Sequence, residues 1–339
     1  MMKALPKISV AFPTYNCAPL LQETFRALDA QNYPRSLQER IIVDGGSTDG
    51  TRELASAHGF RIIENPHRSN LYGLPLAFAA ATGDLILHLD DDNVPDRPDW
   101  LMRMVEPFEN PAVVAAEPLF YAAALDDDLI TRYVSVLGAD DPLVVYAGFH
   151  DKFSALTGTW TGVPHTVEDC GGYLVVRFAS PDVLPTLACN AFLARREVLV
   201  AATKMPWLHI DGARRMLRGD DRAWAKVRVG IVNHHAEGVL AFFVKKFRRL
   251  RTRSREVTNF EYQYPLSYVK LAGIIARCVL VVPLVIDAIR GYRRRPDSVW
   301  ILHPVFALGT LFTYAIGTVR LRAARASQPV PIRITSPIR

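Results

Sequence analysis

Cysteine is scarce in this 339-residue chain: Cys17, Cys170, Cys189 and Cys278 stand far apart, and no two form a C-x-x-C pair. That spacing excludes a zinc ribbon and a disulfide framework, and reads as reduced thiols in a cytosolic setting. There is no internal repeat and no long low-complexity tract, so the chain is not a repeat array. No secretory leader precedes the first strand-like run, so the N-terminal part is expected to remain cytosolic. Polarity is also short. Half the residues are apolar, and the mean hydropathy of +0.08 is high for a wholly soluble protein. The length suits one large domain plus an appendage.

What the chain does have is a series of apolar runs that end in turn chemistry. Lys7 to Phe12 reads KISVAF and meets Pro13-Thr14-Tyr15-Asn16, the start expected of a nucleotide-binding α/β unit. Leu20, Leu21, Phe25 and Leu28 follow at helical spacing. A second strand, Arg40 to Val43, ends in Asp44-Gly45-Gly46-Ser47-Thr48-Asp49-Gly50. An acid followed by glycines at a strand end suits close approach of a nucleoside. Thr51 onward is helical, Phe60 to Glu64 is a third strand, and Leu85 to Leu89 is a fourth that runs into Asp90-Asp91-Asp92-Asn93. Strands alternating with helices predict an α/β fold with a largely parallel sheet, and an acidic strand end lies in the crevice where such sheets bind ligands. Adjacent carboxylates repel one another unless a cation neutralises them. Mg²⁺ takes oxygen ligands, usually one or two protein carboxylates plus substrate phosphates. Alone, the acidic run would also suit a solvated turn.

VAFPTYN, IIVDGGSTDGT and LHLDDDN, in that order and spacing, resemble the family 2 glycosyltransferases with a GT-A fold. The resemblance is clear over residues 7 to 120 and looser to about 250. It implies a Rossmann-like mixed, mostly parallel sheet with helices on both faces. It implies that Pro13, Thr14, Tyr15, Asn16, Asp44, Gly46 and Asp91 line the nucleotide pocket, with Asp44 at the base. It also implies that Asp90 and Asp92 form a D-x-D pair holding Mg²⁺ or Mn²⁺ against the diphosphate of a UDP- or GDP-sugar. Asn190, in the segment Pro185 to Glu197, would lie near donor and acceptor; the family's usual glycine after this Asn is Ala191 here. His234 and His235 follow a strand-like run. His234 would be a third metal ligand or phosphate contact, with His235 in the donor and acceptor region. Trp160, in a loop, could stack on a sugar, and a packing role fits it equally.

A leaving nucleoside diphosphate carries new negative charge, which a divalent ion stabilises. An acceptor hydroxyl must also lose a proton, so a carboxylate base is useful; a phosphate acceptor needs none. The family usually carries an acidic pair at a helix start between residues 205 and 225. Here Asp211 heads the helical stretch Gly212 to Leu217 and is the favoured base, with Asp220 and Asp221 as rivals. An N-capping role for Asp211 stays open.

The apolar excess gathers near the C-terminus. Residues 271–289 and 299–319 each approach the ~20 residues that span hydrocarbon. The second lacks charge, whereas the first holds Arg277 and Asp287, which are costly at depth unless paired or near an interface. Before them, residues 238–255 join Phe242, Phe243 and Phe247 to seven Lys and Arg residues, a pattern suited to an anionic membrane surface; nucleic-acid binding is disfavoured. The expected organisation is a GT-A catalytic domain at 1–237, a basic amphipathic interfacial segment at 238–265, a membrane-embedded helical hairpin at 266–322 and a polar tail at 323–339. Two full crossings would place Arg290, Arg293, Arg294 and Arg295 on the far side, against the positive-inside tendency, so the number of crossings stays open.

The sequence thus predicts a metal-dependent glycosyltransferase of the cell membrane, and the family resemblance implies that it is inverting. Its catalytic domain is cytosolic, and it moves a sugar to a lipid-linked, polyprenyl acceptor. A nucleotidyltransferase shares the sheet topology, but the glycine-rich basic signature expected after its first strand is missing. A membrane-tethered sugar-nucleotide-binding protein without catalysis is the non-enzyme alternative, and intact Asp44, Asp90 and Asp92 speak against it.

Overall fold

The computed structural model describes residues 4–236, 238–256 and 261–326; residues 257–260 of the expected interfacial segment, and the expected polar tail beyond 326, lie outside the described residues. The strands are β1 (Ile8–Thr14), β2 (Gln38–Asp44), β3 (Arg61–Glu64), β4 (Leu85–His88), β5 (Asn93–Pro95), β6 (Val113–Ala122), β7 (His165–Asp169), β8 (Tyr173–Phe178), β9 (Phe192–Arg195) and β10 (Ala223–Asn233). Between them run helices α1 (Ala18–Asp29), α2 (Thr51–Ala57), α3 (Asn70–Ala80), α4 (Trp100–Val105), α5 (Leu129–Leu137), α6 (Pro142–Ala147), α7 (Arg196–Ala202) and α8 (His209–Leu217). The chain continues in α9 (Val239–Glu256), α10 (Tyr268–Val279), α11 (Val282–Arg294) and α12 (His303–Ala326).

The strands make one mixed sheet in the order β3-β2-β1-β4-β9-β6-β10-β8-β7, with β5 paired to β10. β1 pairs in parallel with β2 and β4, and Thr14 lies opposite Asp44. β9 runs antiparallel between β4 and β6, and β10 is parallel to β6. The C-terminal ends of β1, β2, β4, β6 and β10 therefore share one edge, and the acidic run leaves the sheet there. β1 is buried on both faces, as an interior parallel strand should be. Its side chains alternate at the pleat's period of two. Ile8, Val10 and Phe12 join Phe25, Leu28 and Trp100 on one face, whereas Ala11 joins Leu74, Phe78 and Trp207 on the other.

One buried patch inside this sheet is charged. Glu117 of β6 and Lys226 of β10 are register partners, both fully buried, with Nζ 2.9 Å from Oε2. Lys152 and Asp151 complete the group: Lys152 pairs with Asp151 and lies 3.8 Å from Glu117. Next to them, burial pushes His150 down to about 4, against the hydrogen bond with Thr159 O that favours its charged form. Folded His150 therefore stays neutral where an unfolded imidazole protonates, near 6.5. Its contribution to stability is complete above about pH 6.5 and is lost as pH falls towards 4, by on the order of 3 kcal/mol. The His150→Phe variant is expected to flatten that part of the pH dependence of Tm; an equal fall in both proteins would show that His150 is not responsible.

The C-terminal helices depart from a simple hairpin. The apolar stretch 271–289 is two helices, α10 and α11, bent by 87° at Leu280–Val281. Val281 sits at φ +58, and Pro283 stands at the start of α11, where its missing N–H costs no helical bond. The two charges in this stretch neutralise each other, with Arg277 Nε 2.7 Å from Asp287 Oδ2. α12 is long and apolar enough to cross a membrane by length and composition, yet it packs along α9. A Cβ on Gly309 would stand 2.4 Å from the Phe243 ring, so only glycine allows this seat.

Candidate functional site

The loops after β1 and β2 are zipped together. Asn16, in the left-handed region at φ +48, accepts from Thr48 N at 2.9 Å and donates its own N–H to Ser47 Oγ at 2.9 Å. Gly45 N donates to Thr14 O at 2.9 Å, and Gly46 takes φ +88. Pro13 and Thr14 close β1 at the root of this pair of loops. Asp44 is fully buried. It accepts from Gly46 N and Ser47 N at 3.0 Å each, from the Ser47 hydroxyl, from Thr14 Oγ1 at 3.3 Å, and from the Arg52 guanidinium at 3.1 Å. Burial alone would raise its pKa, but Ser47, Arg52 and Gly46 outweigh that and hold it below the usual carboxylate range. Asp44 thus organises the loop with its own oxygens, and Tyr15, 49 % exposed, presents its ring beside it.

Beyond β4, Asp90 N and Asn93 Oδ1 close a turn (3.2 Å) with Asn93 N on Asp90 O (3.1 Å). Asn93 Nδ2 reaches Asp92 Oδ1 at 3.1 Å. His88, buried in β4, stands 3.3 Å from Asp90 Oδ1 and stacks on His209 of α8 with ring centroids 5.9 Å apart. Lys245 of α9 donates to Asp92 Oδ2 at 3.2 Å and to His235 O at 2.6 Å. One turn on, Arg249 donates to Asp140 Oδ2 at 2.6 Å, and Lys246 to Asp141 Oδ2 at 3.3 Å. α9 thus pairs three of its cations with carboxylates of the body: Lys246 is buried, Lys245 partly buried and Arg249 exposed. Burial would raise Asp90, but His88, His209 and Arg249 outweigh it and hold that carboxyl low, whereas Asp91 and Asp92 stay under-neutralised. Burial, then the charges of Asp92 and Asp90, push Asp91 up to about 6. Asp92 is also raised, by burial first and by Asp90, with Lys245 opposing.

The remaining expected residues are distributed differently. His234 donates its backbone N–H to Asp92 O at 3.0 Å, but its ring pairs with Glu23 at 3.2 Å. Among the described residues, no group of three or more His, Cys, Asp or Glu side chains is arranged to hold a metal ion. His235 is buried edge-on against Phe242 at 5.6 Å, and burial pushes it down to about 3, so it serves packing under α9. Trp160 is likewise a packing residue: it is buried with Leu119, Leu174 and Val176, under Lys226. Asn190 donates to the Tyr121 hydroxyl at 2.7 Å. Ala191 adopts φ +52 and Ala188 φ +59, so the conformation that the missing glycine would favour is kept without it. That costs on the order of 1 kcal/mol, the kind of strain that collects at functional sites.

Asp211 lies in the first turn of α8, where Leu208 is the N-cap, so the capping role does not apply. It is 3 % exposed, and its oxygens accept from Tyr262 N at 2.7 Å and Glu261 N at 3.2 Å. Asp220 and Asp221 precede β10 at its N-terminal end, and Asp221 pairs with Arg177 at 3.1 Å. An 11-residue strand puts them roughly 35 Å from the carboxylate edge. The sequence placed them near the chemistry, and the direction of β10 places them at the opposite edge.

His88, His209, Lys245 and Arg249 are the site residues that sequence reasoning missed. Lys245 and Arg249 stand four apart and so share a helix face, a signal visible in the sequence. That this face meets Asp92 was not visible.

Residues 9–196 match the model of glycosyl transferase family 2. Glycosyltransferase AglE of Haloferax volcanii is 32% identical over 111 residues, 31% of this chain and 36% of that protein. The undecaprenyl-phosphate 4-deoxy-4-formamido-L-arabinose transferase of Klebsiella pneumoniae is 32% identical over 108 residues, 30% of this chain and 33% of that one. The matches thus span about a third of the length of these curated relatives. A solved mannosyltransferase of Pyrobaculum calidifontis, in complex with GDP-Man and Mn²⁺, overlays 96% of this chain and 77% of its own at 18% identity, with a TM-score of 0.44.

Proposed function

The chain belongs to glycosyl transferase family 2, and we propose that it moves one sugar from a nucleoside-diphosphate sugar to a polyprenyl phosphate at the cytosolic face of the cell membrane. The transfer would need a divalent cation and invert the transferred carbon. One observation carries this reading: Asp90, Asp91 and Asp92 leave the sheet on the edge that holds the Asp44 loop, and the charges of Asp91 and Asp92 are incompletely neutralised. The donor set fits Mg²⁺ or Mn²⁺, because carboxylate oxygens suit hard cations and two of them, with substrate phosphates, suffice. The ammonium of Lys245 against Asp92 marks the place as one where positive charge is already favoured. Asp90 and Asp92 would hold the ion, which would stabilise the charge of the departing diphosphate. Tyr15 would lie against the nucleobase, on loops fixed by Asp44, Asn16 and Gly46. Asn190, oriented by Tyr121, would face the donor sugar.

The positions of the three candidate acids support an anionic acceptor. Asp211 is engaged by two backbone amides, and Asp220 and Asp221 stand at the far edge. A nucleophile that is already an anion needs no base from the protein. A phosphate monoester on a polyprenyl chain meets that requirement, and the Klebsiella relative is named for such an acceptor. On this reading residues 1–237 are the catalytic unit, 238–265 link it to the membrane and 266–322 are the membrane-associated part.

The test is a panel of UDP- and GDP-sugars in detergent, with and without Mn²⁺, against a short polyprenyl phosphate. Release of nucleoside diphosphate that needs both metal and acceptor is expected; calorimetry showing that none of the donors binds would sink the reading. The Asp211→Asn variant is expected to keep transfer to the phosphate acceptor within about tenfold while losing about 1–2 kcal/mol of stability, the usual cost of weakened buried hydrogen bonds. Abolished transfer at unchanged Tm would instead make Asp211 the base and the acceptor a hydroxyl.

A further inference from the structure

The α10–α11 elbow has both of its open ends fixed to the catalytic unit. At the entrance, Tyr262 Oη donates to Leu184 O at 2.9 Å and accepts from Leu184 N at 2.8 Å, and Tyr264 packs on Phe149 at 4.9 Å. At the exit, Arg294 donates to Leu156 O at 2.6 Å, Arg295 to Ser135 O at 2.9 Å, and Arg132 pairs with Asp297 at 2.6 Å. The chain therefore leaves and rejoins the same body. Each arm is also short: 12 and 13 residues rise about 18 and 20 Å, against a hydrocarbon core of roughly 30 Å.

The elbow's outer surface is apolar. Leu280 and Val282 at the tip are 66% and 67% exposed, and Val279, Val285, Ile286 and Ile289 continue the surface. Inside the angle, Arg277 and Asp287 neutralise each other, and Tyr146 donates to Asp287 at 3.0 Å. At the open end stand Tyr268, 90% exposed, and Tyr292, with Arg290 and Arg293 exposed beside it. Aromatic rings and arginines flanking an apolar tip match the headgroup level of an anionic leaflet.

We propose that the α10–α11 elbow is a re-entrant wedge: its tip enters one leaflet of an anionic bilayer and returns, so that residues 290–297 lie on the same side as the cleft. The arginines that a two-crossing arrangement would export then stay with the catalytic unit. α12 flanks the wedge rather than crossing. One side is committed to protein, through Gly309 on Phe243, Gly317 on Leu250 and Tyr314 on Asp141, while Val305, Phe312, Ile316 and Val319 face outward at helical spacing. This inference rests on the membrane association proposed above and not on the sugar chemistry.

The test uses the full chain in sealed vesicles of both orientations with a membrane-impermeant maleimide. Native Cys170, exposed in the turn between β7 and β8, reports the catalytic side. Arg293→Cys, in a Cys170→Ser background, is expected to label in the same vesicle orientation as Cys170. Leu280→Cys carrying an environment-sensitive fluorophore is expected to shift to the blue on phosphatidylglycerol vesicles and to be quenched by nitroxide lipids. Labelling of Arg293→Cys from the opposite face, or an unquenched Leu280→Cys probe on vesicle-bound protein, overturns the wedge while leaving transfer activity to speak for the function. Failure of the protein to bind vesicles at all removes both the wedge and the lipid acceptor.

Discussion

Asp92→Asn is expected to lower transfer on the order of a thousandfold, as loss of a group that stabilises developing charge does, with no loss of Tm. The two halves of that expectation have one cause. Asp92 is buried beside Asp90 and Asp91, and its carboxyl is raised by burial and by Asp90. In the resting protein its charge is a liability, which asparagine removes while keeping shape and the contact with Asn93. Lys245 keeps its second acceptor, His235 O. A site that holds like charges together gives up stability for function, so the variant should be at least as stable as the parent. Steady-state transfer and thermal unfolding in detergent decide it. Residual turnover above about a tenth of the parent would remove the charge from the mechanism, and a large fall in Tm would make Asp92 a structural residue.

Lys226→Met should do the reverse. Glu117, Asp151, Lys152 and Lys226 form a buried set of two anions and two cations. Methionine removes one cation and leaves an uncompensated negative charge beside Glu117, which is fully buried. Breaking a buried pair from one side costs about 3–5 kcal/mol, whereas replacing both partners is often close to neutral. The variant should lose most of that amount in chemical unfolding, and the double change Glu117→Gln with Lys226→Met should recover a large part. Equal loss in single and double variants would mean that shape, not charge, sets the cost. Glu117 also receives Ala188 N, so the double variant tests whether the left-handed Ala188 depends on that carboxylate.

Much of the parallel half of the fold was legible because its signals are local. β1, β2 and β4 are short apolar runs that stop at Pro13, Asp44 and Asp90, and the chain forms strands there. Partners distant in sequence were not legible. Nothing near Asp92 announces Lys245, 153 residues later, and the basic helix read as a membrane surface because its aromatic face and its charges suit either setting. Asp220 and Asp221 looked like members of the site until the direction of β10 set them at the other edge. The break at Leu280–Val281 did carry a sign: a proline within a continuous helix would lose a backbone hydrogen bond and clash with the preceding turn, and Pro283 interrupts an apolar stretch whose composition alone reads as continuous.

Lys245 has a consequence for the order in which ligands load. An ammonium tethered beside Asp92 competes at a high effective concentration with any free cation, so the proposed divalent ion, arriving alone, would have to displace it and leave it without its anion. A diphosphate arriving with the ion offers that displaced ammonium a new counter-charge. Ion and nucleotide should therefore bind more tightly together than the product of their separate affinities, and by linkage each should improve the other by the same factor.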